Sequence, residues 1–391
     1  MVRHASLFSQ ILGIIPRMDF QRVVRDAGTD RYTKRFTSWD HLVSLLFCQF
    51  AQAKSLREIS QGLTACLGKL NHLGVRHSPN KSTLAYANKH RDWTLFEVLF
   101  YKLARQLTAQ LAGRTHHRLK LPGKLYSMDA SIIPLCLSLF DWSRYQTAKG
   151  AVKLHMVLDH DGFLPCFARI TLGKRHDVPI GRQFWFPPGS VVVVDRGYFS
   201  VDLFAQWIRG HVFFVTRLVA NSRLTVVEDR PCEGPVLRDQ FVEFAAPQTR
   251  KRYPYIMRRI EYYDEKSDRV FVYLTNQLEA SALTIAEVYR QRWQIELFFK
   301  AIKQNLRIKT FIGTSPNAVS CQIWTALITM LLMRFLQLRS RRGWALSNLV
   351  ALLRLNLFTY RDLWRWLDDP FEVPPGGPPG GHPYEQLALR F

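Results

Sequence analysis

The sequence predicts a mixed α/β protein: a β-sheet with helices on its faces, an all-helical segment ahead of it and a helical region after it. Three observations carry this reading. Apolar residues recur at helical spacing up to about residue 112, short runs rich in β-branched residues replace them beyond about residue 124, and helical spacing returns from Thr284. With 391 residues and 47% hydrophobic content, the chain can bury a sizeable core divided into two or three packed units.

Residues 1–112 form the helical first unit. Thr37 or Ser38 is placed to cap a helix from Trp39 to Ala51, and Ser55 with Glu58 makes a capping box ahead of Ile59–Leu70. Ser82 opens a short helix through Lys89, and Trp93–Leu111 carries Phe96, Leu99, Phe100 and Leu103 at helical spacing. The basic segment Arg114–Lys124, ending in Pro-Gly-Lys, marks the boundary at which the periodicity changes.

Strands follow. Leu125–Leu137, Val152–Leu158 and Phe163–Leu172 are apolar and β-branched, and Asp161-Gly162 is placed to turn the second pair into a hairpin, so the first three strands run antiparallel. Val178–Phe186 is a short helix candidate. Val191–Val194 is wholly apolar, as expected of a strand covered on both faces, and Asp195 stands at its C-terminal end. A helix over Val201–Ile208 and a strand over Val212–Thr216 complete a β-β-β-α-β-α-β series, the order of an RNase H-like architecture. Short apolar runs broken by Asn, Gly, Pro and charges from Arg217 to Arg269 predict a β-rich insertion, and Val270–Leu274 is a clear strand.

Thr284 with Glu287 forms a capping box that starts a long helix to about Leu306, and further helices cover Ala318–Leu338 and Ala345–Leu355. The domain reading is therefore a helical unit 1–112, an RNase H-like unit 124–309 with an insertion at about 217–269, a helical C-terminal region 310–373 and a flexible tail 374–391. The PPGGPPGG run at Pro374–Gly381 lacks apolar side chains and predicts an unpacked linker.

Fifty-four Lys and Arg against thirty-one Asp and Glu leave a formal charge of +23, a field that attracts a polyanion, with nucleic acid as the expected partner. Lys81, Lys89 and Arg91 are then either a face presented to DNA or the solvated side of a helix bundle, and both readings stay open. The longest strongly apolar run, Ile323–Met333, is far short of the ~20 residues that span a bilayer, so a core helix and no membrane partner are expected. The N-terminus shows no export signal, so the chain is expected in the cytoplasm. Six cysteines without a C-x-x-C pair disfavour a zinc site and a disulfide framework.

The chemistry is carried by acids. Asp195, at the end of an apolar strand, occupies the position where an open sheet exposes side chains to a ligand. Asp129 sits inside an otherwise apolar strand, where its charge needs a metal or a cation; a buried ion pair is the alternative. On the helix from Thr284, Tyr289, Arg292, Glu296 and Lys303 fall within roughly 60° of one another at 100° per residue. Ile295, Phe298, Phe299 and Ile302 can hold that helix against the sheet, so the stripe is either a site or an exposed salt-bridged face. Three carboxylates gathered in a basic protein call for hard cations, Mg²⁺ or Mn²⁺, and two ions suit phosphodiester chemistry. Arg292, Lys303 and Lys300 can then neutralise phosphates, and Tyr289 can donate to a phosphate oxygen. Asp159 and Asp161 lie in the presumed hairpin turn and serve its geometry, while His155 reads as core and His176 with Asp177 as residues near the active face.

The order D, D, E, with VDRGYF around Asp195 and a YxxRxxxExxxxxxK pattern around Glu296, resembles the insertion sequence four family of DDE transposases over about residues 125–309. The stretch through STLAYANKHRDW resembles the helical domain found ahead of such cores. The resemblance implies an RNase H-like core with a β-rich insertion before the last acid and two divalent metals. It also implies binding of double-stranded DNA at terminal inverted repeats, cutting of element ends and joining to target DNA by a homodimer in a bacterial, nucleoid-associated setting. Spacings of 66 and 101 residues between the acids accommodate that layout. Hairpin-forming members stack a flipped base on an aromatic side chain, commonly a Trp of the insertion; Val212–Asn276 has no Trp here, which leaves Trp293, Tyr253 and Tyr255 as candidates. A DNA-binding regulator that has lost catalysis, and a nuclease that cuts without joining, are the competing readings.

Overall fold

A computed structural model describes residues 4–66, 70–111, 123–136, 138–146, 149–308 and 310–372; the Arg114–Lys124 boundary, apart from its last two residues, and the tail from 374 lie outside the described residues. Six helices precede the sheet: α1 (Leu7–Leu12), α2 (Arg17–Ala27), α3 (Ser38–Ala51), α4 (Leu56–Thr64), α5 (Lys81–His90) and α6 (Thr94–Leu111). Thr37 caps α3, accepting from the Asp40 amide while the Asp40 carboxylate accepts from the Thr37 amide. Ser55 caps α4 through the Glu58 amide, but the Glu58 carboxylate returns to the Lys54 amide instead of to Ser55. The α5 helix starts at Lys81, one residue before the expected Ser82, behind Asn80 and without a side-chain cap.

Among the described residues ten strands form one sheet: β1 (Leu125–Leu135), β2 (Arg144–Gln146), β3 (Lys149–Asp159), β4 (Leu164–Leu172), β5 (Val191–Val194), β6 (Phe213–Arg217), β7 (Leu224–Asp229), β8 (Val236–Phe244), β9 (Met257–Asp264) and β10 (Arg269–Thr275). The order is β2-β3-β1-β5-β6-β10-β9-β8-β7, with β4 also on β3. Strands β1, β3 and β4 are an antiparallel meander, β5 and β6 run parallel to β1, and β10 to β7 continue antiparallel. Residues 217–269 thus extend the same sheet.

The four valines of β5 are buried on both faces because each face has its own helical cover. Val192 and Val194 pack with Leu203, Phe204 and Trp207 of α8 (Val201–Arg209), which follows the short α7 (Asp177–Gly181). Beyond α9 (Pro247–Arg252) comes α10 (Ala282–Arg290), and Val191 and Val193 pack with its Ile285, Val288 and Tyr289.

The expected single helix from Thr284 to Leu306 is two, α10 and α11 (Trp293–Asn305). Ser281, not Thr284, caps α10, accepting from the Thr284 amide, and Glu287 is held by Arg290 and Gln291 instead of a capping box. At the junction the bonding tightens: Arg292 donates to Tyr289 O and Gln294 to Gln291 O, three residues back, while both junction residues stay in the right-handed helical region.

Among the described residues three helices come last: α12 (Pro316–Arg339), α13 (Leu346–Asn356) and α14 (Leu363–Asp368). At 24 residues α12 is longer than its apolar run suggested and is long and apolar enough to cross a membrane, yet it is buried in the protein between α3, α5, α6 and α13. N-terminal and C-terminal helices share one core with α11 and one face of β1, β3 and β4. The Phe8 amide bonds Leu357 O, Gln10 bonds Arg361 O, and Tyr101 of α6 bonds Ala168 O on β4 at 2.6 Å. Gln52, after α3, donates to Asn305 O, and Arg307 donates back to Gln52 O, so the N-terminal helices brace the end of α11.

Candidate active site

Asp129 sits mid-way along β1, across from Met156, with a side chain only 18% exposed. Its Oδ1 accepts from the Ala130 amide at 2.8 Å. Burial pushes its carboxyl up to about 6; the Ala130 amide and Arg292 oppose the rise, and the charges of Asp195 and Glu296 add to it. Asp129 therefore feels both other acids that the sequence singled out.

Asp195 follows directly on β5. Met128 is in register with Val194 across the parallel pair, so Asp129, still within β1, and Asp195, just past β5, stand side by side, about 4.8 Å being the usual strand spacing. Asp195 Oδ1 accepts from the Gly197 amide at 2.8 Å, which closes the turn of Arg196–Tyr198. A Cβ on Gly197 would stand 3.0 Å from that same oxygen, so the turn favours glycine.

Glu296 comes from α11. The spacing 292, 296, 300, 303 puts Arg292, Glu296, Lys300 and Lys303 along one side of the helix. Asp129, Ala130, Ser131, Glu296, Lys300 and Lys303 line a cleft of about 330 Å³ between α11 and β1. Arg292 donates to Glu296 Oε1 at 2.5 Å and reaches 3.8 Å toward Asp129 Oδ2, while its Nε has no partner. Tyr289, on α10, is buried; its ring packs 5.0 Å from Tyr273 and lies 5.7 Å from the Arg292 guanidinium.

Among the described residues, no three acidic, imidazole or thiol groups stand close enough together to hold a metal ion as they are. Asp129 and Glu296 share the cleft, and Asp195 stands beside Asp129 at the end of the neighbouring strand, outside the residues that line that cleft. Their oxygens are the donors that hard divalent cations prefer, and a cation would relieve the cost of ionising buried Asp129.

The remaining candidates separate clearly. Asp159 accepts from the Asp161 amide, and both acids pair with Lys124, as turn residues do. His155 is buried against Thr171 and stays neutral, burial and Lys153 lowering it to about 4. Asp177 pairs with Lys153, and His176 is exposed. Lys81 and Lys89 are exposed, whereas Arg91 is buried, donating to Phe36 O and Thr37 O, and is no DNA-facing side chain. Tyr253 is buried against Phe244 and offers no stacking surface; Trp293 is 56% exposed and Tyr255 37%.

Two residues near the acids escaped the sequence reading. Tyr198, buried on Met128 and Gly181, has a hydroxyl without a hydrogen-bond partner, and burial, then the charges of Asp177, Asp129 and Asp195, raise it well above its ordinary range. Arg217 ends β6 much as Asp195 follows β5, a polar residue closing an apolar run, and that parallel was the available signal.

Residues 121–332 match the family model described as "Transposase DDE domain". The chain belongs to the DDE transposase family. Residues 3–76 of the transposase also match a domain of unknown function, DUF4372. It is 32% identical over 292 residues to a protein of Sinorhizobium fredii named as transposase y4zB, covering 73% of this chain and 80% of that one. It is 27% identical to a protein of Geobacillus stearothermophilus named as the transposase for insertion sequence element IS5377, covering 86% of each. Among solved structures it resembles the piggyBac transposase synaptic complex with hairpin DNA at a TM-score of 0.38 and 10% identity, over 94% of this chain and 81% of that one. The protein is thus a transposase of the insertion-sequence type, an enzyme of metal-dependent DNA cleavage and strand transfer.

Proposed function

We propose that Asp129, Asp195 and Glu296 are the metal-binding carboxylates with which the transposase cuts the ends of its own insertion sequence and joins the freed 3′-hydroxyl ends to target DNA. The observation that carries this is geometric: Asp129 and Asp195 stand side by side from neighbouring strands, and Asp129 shares one cleft with Glu296 of α11. The order β4-β3-β1-β5-β6, three antiparallel strands followed by two parallel ones, supports an RNase H-like core around them.

Two Mg²⁺ or Mn²⁺ ions, when bound, supply the Lewis acid that activates the attacking oxygen and stabilises the leaving one. The chain itself supplies position and charge. The strand pair fixes Asp129 and Asp195 side by side, and the tight turn after Asp195 aims its carboxylate. Arg292 orients Glu296 and offsets the repulsion among the acids. Lys300 and Lys303, on the cleft wall, neutralise phosphates of double-stranded DNA beside the scissile bond. Tyr289, buried on α10, backs the Arg292 guanidinium with its ring and so helps to hold that arginine in place.

This reading carries a homodimer that holds two element ends, terminal inverted repeats as the bound sequence, and a bacterial cytoplasm with the nucleoid as the place of action. For the N-terminal helices the exposed Lys81 and Lys89 are the DNA contacts it allows. Trp293 and Tyr255 are the exposed aromatic side chains available for base stacking.

The test incubates purified protein and its Glu296→Gln variant, with Mg²⁺, on linear DNA carrying the gene's own flanks and a circular target, and maps ends and joints. Metal-dependent cuts at inverted flanks with joined products from the parent alone are expected. Cuts without joints would favour the nuclease, and binding without cuts would favour the regulator.

A further inference from the structure

Arg217 is the last residue of β6 and lies outside the stripe of α11. Val193 is in register with Val215, so Asp195 and Arg217, each two residues further on, emerge from the sheet at the same edge. The intervening Thr216 ties them together, its hydroxyl donating to Asp195 O at 3.3 Å. The Arg217 guanidinium lies 4.9 Å above the ring of Phe271 on β10. An aromatic ring holds the plane of a guanidinium without using its N–H donors.

The two arginines of this edge differ in what they meet. Arg292 is committed to Glu296 and Asp129. Among the described residues, Arg217 forms no ion pair and its side chain donates no hydrogen bond. Buried Tyr289 feels both: burial raises its phenol above the ordinary value, and the charges of Arg292 and then Arg217 oppose the rise. A half-buried cation with its side-chain donors unengaged, at the sheet edge where Asp195 emerges, is a costly arrangement unless an anion completes it.

We propose that Arg217 is a DNA-binding residue of this transposase, a two-pronged clamp on a backbone phosphate of the strand laid against Asp195. It stands on the Asp195 side of the acids, with Lys300 and Lys303 on the Glu296 side, so the strand is held from two sides. The inference rests on the DNA-cleaving reading of this edge.

The test measures binding of a fluorescent linear duplex, cut from the gene's own flanks, across a KCl series in the Glu296→Gln background. The parent's salt-dependent binding checks the reading beneath; a parent that does not bind DNA sinks that reading, and the inference with it. With a binding parent, Arg217→Ala is expected to lose about tenfold in affinity and to make the log–log salt slope shallower by about one. Arg217→Lys should keep the slope, yet with Glu296 restored it should cut more slowly, because a point charge lacks the fork. Thermal melts run in parallel. An Arg217→Ala variant that melts like the parent and keeps its affinity and slope overturns the proposal. If the alanine variant melts early, Arg217→Lys decides: affinity, slope and cutting rate all equal to the parent's would overturn it.

Discussion

Arg292 donates to Glu296 at 2.5 Å and stops 3.8 Å short of Asp129, so one guanidinium stands between two carboxylates that belong to different layers of the fold. The pair is four residues apart on the chain, and the third partner is more than 160 residues away. A helix stripe that reads as an ordinary i,i+4 salt bridge is thereby bound to the sheet. Replacing Arg292 by Gln should leave Asp129 harder to ionise, since the arginine charge holds its carboxyl down. Single-turnover cleavage is expected to fall about 10²-fold, the usual loss when an aimed charge is removed from an active site. Cleavage within twofold of the parent would show that Glu296 needs no such partner.

The Asp129 carboxyl gives a pH signature. Its folded value of about 6 lies above its ordinary 3.8, so the folded protein takes up the proton first. The stability this confers is fully present below about pH 4 and is lost as pH rises through about 6, by up to about 3 kcal/mol. Divalent cations act in the opposite sense, because a ligand must be ionised to bind them. The parent minus Asp129→Asn difference in melting temperature should therefore shrink from pH 4 to pH 7 without metal, and Mn²⁺ should stabilise the parent increasingly above pH 6. A difference that stays flat with pH and with Mn²⁺ would remove Asp129 from the metal site.

Lys303 lies on the cleft wall opposite Ser131. If it neutralises a phosphate, Lys303→Ala should lower DNA affinity and reduce the salt slope by about one unit while the protein still folds. The anisotropy titration is the same as for the parent. An unchanged slope would make Lys303 part of a solvated helix face.

How much of this was visible beforehand depends on whether the signal was local. The four valines ahead of Asp195 and the polar interruption at Asp129 mark the acids because strand burial is written in adjacent residues. The junction at Gln291–Arg292 carries no Gly or Pro, so nothing local announces that α10 and α11 are separate; packing of α10 on β5 and of α11 on β1 imposes it. Arg91 looked like surface because its acceptors, Phe36 O and Thr37 O, lie more than fifty residues away. The same holds for α12, whose apolar run is bounded by Gln322 and Arg334; buried Gln322 finds its acceptor outside the helix, at Arg307 O. That β7 to β9 prolong the main sheet is likewise a fact of pairing with β10, not of composition.

Arg258 and Asp239 show what that prolonged sheet does for the site. Arg258 on β9 donates through Nε and Nη2 to the two oxygens of Asp239 on β8, at 2.7 and 2.6 Å, with both side chains almost fully buried. Its remaining Nη1 donates to Leu278 O and Ala280 O, the segment that leads into the Ser281 cap of α10. The pair therefore locks the inserted strands to the start of the two helices that present Tyr289, Arg292 and Glu296. Arg258→Met leaves a buried carboxylate without its partner and frees that segment, at a cost of about 3–5 kcal/mol. In the double variant Arg258→Met/Asp239→Leu no charge is stranded, so much of the stability should return. Cleavage should not return with it, because Ala280 O still lacks its donor and Leu278 O keeps only that of Arg230. Urea denaturation and single-turnover cleavage, run on both variants, separate the two effects; recovery of cleavage in the double variant would mean that the buried pair supports the fold alone and does not position Glu296.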